Sequence, residues 1–136
     1  MTTNIQMGAR IILGLIYFVF GLMGLAIALG FMHMPESQMP EAATGFMKGI
    51  MGVGYFFPIL KITESVCGFL LLIGFAAPLA LVILAPVTLH IILFHAVLTP
   101  GLGNLVLPLV MVIAHVVAMR SYWNLYVPLF SNGKKA

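Results

Sequence analysis

The chain has 136 residues, of which 62% are hydrophobic and only 7% charged, against roughly 25% charged in an ordinary soluble domain. That composition is of an integral membrane protein, with length for about four spans of about 20 residues each and none left for a soluble domain. The formal charge of +3 is carried mostly toward the chain ends by Arg10, Arg120, Lys134 and Lys135, a topology signal and not a nucleic-acid footprint, while the single Cys67 excludes a disulfide framework or a CxxC pair.

Residues 11–29 form a continuous apolar run behind Arg10. Ala26-Ile27-Ala28 imitates a signal-peptide cleavage site, but the run exceeds the usual apolar core of about 7–15 residues, so a first transmembrane helix is expected. Gly14, Gly21 and Gly24 fall close to one face of that helix and would let a neighbour approach. A polar loop with two prolines follows. Its Met32-His33-Met34 offers soft ligands of the kind copper(I) takes, against the plainer reading of a methionine-rich loop. Residues 42–52, small and apolar with Lys48 among them, predict a short interfacial or re-entrant helix.

Two apolar segments, 56–74 and 79–98, are joined by a short connection, and a last one covers 105–122. Pro58, Pro78 and Pro108 are placed in the opening turns of the second, third and fourth spans, where proline is tolerated. Pro86 lies inside the third span and should free a carbonyl near Val82. Tyr122, Trp123 and Tyr126 make an interfacial belt. The expected architecture is therefore all-α, a four-transmembrane-helix bundle with one short helix between the first two spans. Residues 1–130 form the single membrane domain and 131–136 a basic cytoplasmic tail. Basic ends and the acidic Glu36 and Glu41 of the first loop put both termini in the cytoplasm.

Ionisable groups inside spans are costly and usually face a bundle interior. Lys61 and Glu64 are spaced to pair along one helix face. From the helical rise, Glu64 lies roughly 12 Å down the second span, His90 roughly 12 Å down the third, His115 roughly 15 Å down the fourth and Met23 roughly 10 Å from Gly30. Those four residues are expected at one level, with Lys61 and His95 nearer the outer surface. Together they make a candidate intramembrane pocket. Met111 and Met119 stand one turn either side of His115. Glu64, His90 and His115 are candidate metal ligands, and His90 and His115 candidate cofactor ligands.

Several stretches carry a family resemblance: Arg10-Ile11-Ile12-Leu13-Gly14-Leu15, Val19-Phe20-Gly21-Leu22, Gly54-Tyr55-Phe56-Phe57-Pro58, Lys61-Ile62-Thr63-Glu64, Pro78-Leu79-Ala80-Leu81, Leu84-Ala85-Pro86-Val87 and Phe94-His95. Across almost its whole length the chain resembles the DoxX family of small bacterial membrane proteins. The resemblance implies a four-helix fold in the bacterial inner membrane and an association with redox chemistry, since the name-giving members are subunits of a thiosulfate:quinone oxidoreductase. Glu64 and His95 match the family pattern. Asparagine is common in the family where this chain has Met23 and His90, and glutamate where it has His115. The resulting expectation is a redox-associated subunit whose pocket binds a quinone, a haem or a transition metal such as copper, or which docks a partner oxidoreductase. The alternatives are a non-catalytic anchor or assembly subunit and a small carrier or channel. The fourteen glycines leave room for close contacts within a protomer or in a homo-oligomer.

Overall fold

A computed structural model describes residues 3–34 and 38–131. The expected Glu36 of the first loop and the basic tail with Lys134 and Lys135 lie outside the described residues. Helix α1 (Asn4–Ala28) starts seven residues before the apolar run. The reason is a capping box, in which the Gln6 backbone N–H donates to Thr3 Oγ1 at 3.2 Å and the Thr3 N–H donates to Gln6 Oε1 at 3.0 Å. Arg10 is thereby drawn into the helix. At the far end Gly30 adopts φ +80°, the Phe31 N–H reaches the Ala26 carbonyl at 2.8 Å, and the chain turns off the helix axis.

Helix α2 (Glu41–Gly52) is the expected short element. Glu41 in its first turn complements the positive end of the helix, and Phe46 sits 5.6 Å from Phe94, ring to ring. Helix α3 (Phe56–Ile73) carries Pro58 in its first turn and stops at Gly74, φ +75°. A Cβ at Gly74 would run into the Arg10 guanidinium, which places a cation at the negative end of α3. Helix α4 (Ala77–Leu93) has Pro78 at its start and Pro86 inside, then widens into a π turn over Phe94–Leu98. Helix α5 (Leu102–Arg120) begins a turn earlier than its sequence suggests, so Pro108 lies within the helix and not at its opening. Its ring is fully buried among neighbouring side chains, and packing there outweighs the backbone hydrogen bond that proline forgoes. Short α6 (Trp123–Tyr126) folds back so that the Tyr126 hydroxyl donates to the Pro78 carbonyl at 2.8 Å. Burial first, and Tyr122 second, push that phenol up to about 12.

The four long helices are each apolar enough to cross a membrane. They run antiparallel in a ring, with α1 against α3, α3 against α4, α4 against α5 and α5 against α1. Asn4 and Arg120 therefore share one end of the bundle, and α2 and the π turn occupy the other. At most 33% of the most apolar window of any span is buried, and side chains such as Ile12, Leu15, Val66 and Val106 point outward. Such a surface suits lipid. Lipid tails are as apolar as leucine, so burial alone does not hold the helices together, and close packing and hydrogen bonds must. The tightest seam is α1 on α3. A Cβ on Gly21 would stand 2.7 Å from the Ser65 backbone nitrogen, and one on Gly68 2.9 Å from the Phe18 Cα.

Candidate functional site

Four of the ionisable side chains expected in the pocket converge at the end of the bundle away from Asn4 and Arg120. A cavity of about 490 Å³ opens there between α3 and α4, roofed by α2. The second span contributes Phe56, Phe57, Leu60, Lys61 and Glu64. Pro86, Val87, His90 and Ile91 come from α4, Phe94 and His95 from the π turn, and Phe46, Met47 and Ile50 from α2. Phe56, Pro86 and His90 are exposed on the outer surface as well. The slot is thus reachable sideways along the α3–α4 seam.

Lys61 and Glu64 are one turn apart on α3, and the ammonium donates to Glu64 Oε2 at 2.8 Å. Gly24 of α1 makes this possible, because any side chain there would collide with the lysine stem. The ammonium also lies 5.4 Å from the centre of the Phe57 ring, within the range in which a cation is held by an aromatic face. Glu64 Oε1 makes no protein hydrogen bond among the described residues, and the carboxylate borders the cavity. The pair therefore presents a spare acceptor and spare ammonium donors to the same space.

His95 is oriented by its own helix. Its Nδ1 lies 2.7 Å from the Ile91 carbonyl, which can only accept, so Nδ1 carries the proton. The local backbone is a π turn, the Thr99 N–H bonding the Phe94 carbonyl five residues back at 3.3 Å. Such turns recur at functional sites. Nothing in the sequence announces this one.

His115 and Met23 depart from the expected common layer. His115 is buried outside the cavity, with Nε2 3.0 Å from the Leu81 carbonyl and Nδ1 2.8 Å from Thr88 Oγ1. Thr88 is bonded in turn to the Tyr17 hydroxyl at 2.6 Å. Because α5 starts at Leu102, His115 lies about 20 Å from the cavity end by helical rise, a turn deeper than a start at 105 implies. Met23 is 42% exposed on the outer side of α1, since depth along a helix does not set which way a side chain points. Met111 and Met119 pack into the core beside His115.

Tyr17 and Thr88 were not among the residues singled out from sequence, although a hydroxyl inside an apolar span always needs a partner. Their chain joins α1, α4 and α5. Pro86 leaves the Val82 carbonyl without its helical donor, and His115 bonds the neighbouring Leu81 carbonyl, not that of Val82. Among the described residues no three His, Cys, Asp or Glu side chains come together as metal ligands. With both His115 nitrogens engaged and Met23 turned outward, the set of Met23, Glu64, His90 and His115 does not fit a haem or a metal ion in this arrangement. Compared with protein-family models, characterised proteins and solved structures, the chain matches none.

Proposed function

We propose that this chain is a DoxX-like, multi-pass protein of the bacterial inner membrane that binds a quinone for a partner oxidoreductase, which supplies the electrons. The observation that carries the reading is the cavity between α3 and α4, an aromatic and aliphatic slot with Lys61, Glu64, His90 and His95 on its walls. Ligand sites have this character, mostly apolar with a few placed polar groups, and commonly enclose about 300–1,000 Å³. Quinone carbonyls accept hydrogen bonds, which the Lys61 ammonium and His90 can give, and the reduced ring donates them, which Glu64 Oε1 and His95 Nε2 can receive. A ligand dissolved in the bilayer enters along the exposed Phe56, Pro86 and His90 without passing through water.

Extraction of the purified protein with organic solvent, followed by chromatography, tests the proposal. Wild type should retain quinone near one per chain, and Val87→Trp, which fills the slot from α4, should lose it. Equal quinone in both proteins would show that it is carried by the surrounding detergent and lipid, and would remove the support for this reading.

A further inference from the structure

The polar groups on the cavity wall divide into those that can donate, the Lys61 ammonium and His90, and those that only accept, and the second kind points to what the ligand must present. Nδ1–H of His95 is committed to the Ile91 carbonyl at 2.7 Å. In the neutral ring the other nitrogen, Nε2, is then a lone pair with no hydrogen to give. It makes no hydrogen bond among the described residues, while His95 borders the cavity. Two features hold it in that role. The Phe94 ring meets the imidazole edge-on with centres 5.3 Å apart, and Phe94 is itself packed on Phe46 of α2. Glu64 Oε1 is a second acceptor on the opposite wall, its partner oxygen held by Lys61. Each wall therefore carries an acceptor beside a group that can donate, Glu64 Oε1 beside the Lys61 ammonium on α3 and His95 Nε2 on the same wall as His90, with Phe46, Phe57 and Phe94 between them.

We infer that the cavity selects an aromatic hydroxyl, the head of a phenol or hydroquinone, and that His95 Nε2 is the acceptor reading that O–H. The inference rests on the cavity being a ligand site. It goes further by naming the form of the ligand preferred and the atom that distinguishes it. An ether oxygen in place of the hydroxyl leaves Nε2 and its aromatic surroundings intact but brings no hydrogen, so the acceptor would be desolvated without a partner. The ring of the ligand, not a flexible alcohol, matches the three phenyl groups.

The test uses 4-dodecylphenol and its methyl ether, which differ in one hydrogen-bonding group and undergo no redox change under the assay conditions. Binding to the full chain in detergent micelles is measured at pH 8 by equilibrium dialysis for wild type, His95→Asn and Val87→Trp. The expected result is a wild-type preference for the phenol on the order of tenfold, the size of one well-made hydrogen bond. That preference should vanish in His95→Asn, which keeps a donor near Nδ1 and lacks Nε2, and both probes should be lost in Val87→Trp. Equal wild-type binding of phenol and ether, with both lost in Val87→Trp, overturns the acceptor role and leaves the cavity as a ligand site. Binding that Val87→Trp does not weaken, or no binding at all, overturns the cavity reading and the inference with it. The phenol-to-ether ratio in wild type is decisive even if His95→Asn does not fold.

Discussion

Lys61 Nζ and Glu64 Oε2 are 2.8 Å apart on one turn of α3, yet they are unequally buried, 18% of the lysine side chain being exposed against 4% of the glutamate. The asymmetry decides which half of the pair depends on the other. A lysine near the end of a span can swing its ammonium toward the interface when its partner is lost. The carboxylate has no such route. Lys61→Met should therefore cost roughly 3–5 kcal/mol, the range for an orphaned buried charge. Glu64→Gln should cost less, and the double variant should recover part of the Lys61→Met loss. Thermal melts in detergent read the order. If Lys61→Met and the double variant melt together, the carboxylate draws nothing from the lysine.

The same pair shows what the sequence can say and where it stops. Spacing alone puts Lys61 and Glu64 on one helix face, and runs bounded by glycine and proline locate all four spans to within a few residues, α1 apart, whose polar first turn depends on a Thr3–Gln6 cap outside the apolar pattern. What depth along a helix does not contain is azimuth and absolute start. Met23 turns outward because Gly21 and Gly24 claim the packed face of α1, and His115 drops out of the layer because Pro108 resembles a first-turn proline while packing lets the helix start at Leu102. The π turn that orients His95, and the α2 residues that roof the cavity, arise from tertiary contacts with no local signature.

The α1–α3 seam gives a prediction with an internal control. At Gly68 an added Cβ would meet the backbone of Phe18, which cannot move without shifting α1, so Gly68→Ala should destabilise by about 1–3 kcal/mol. At Gly8, on the same α1, nothing lies within 4 Å of that position. Gly8→Ala should be neutral or stabilising by about 0.5–1 kcal/mol through helix propensity. Equal effects at the two sites in detergent melts would mean that the seam is looser than its geometry.

The antiparallel ring puts Asn4 and Arg120 at one end of the bundle. With Arg10 and Arg120 at that end, the cytoplasmic face is the expected one. Cysteines introduced at Ser131 and Val53 into a Cys67→Ser background, labelled in intact cells with a membrane-impermeant maleimide, read this directly. Val53 should label from outside and Ser131 only after lysis. Labelling of Ser131 alone in intact cells would invert the topology and put the cavity at the cytoplasmic end.

Thr88 stands between Tyr17 and His115, and its position makes it the most sensitive hydroxyl in the bundle. The Leu81 carbonyl accepts from His115, which fixes the proton of the neutral ring on Nε2 and leaves Nδ1 to accept. The one Thr88 proton has two acceptors in reach, Nδ1 at 2.8 Å and the Leu84 carbonyl one turn back at 3.0 Å. That carbonyl already accepts a helical N–H, whereas Nδ1 has no other donor among the described residues. Thr88 therefore donates chiefly to Nδ1 and the Tyr17 hydroxyl donates to Thr88, so one direction of hydrogen bonding runs from α1 through α4 to α5. Thr88→Val keeps the shape and strands two buried groups at once, at about 1–3 kcal/mol each. Tyr17→Phe removes the first donor and leaves Thr88 bonded to His115, so it should cost about 1 kcal/mol. Thr88→Ser keeps the hydroxyl and should lie near wild type. The expected order of detergent melting temperatures is Thr88→Ser above Tyr17→Phe above Thr88→Val. A Thr88→Val protein as stable as Tyr17→Phe would show that His115 does not take its second hydrogen bond from Thr88, and that the α4–α5 contact is held by packing alone.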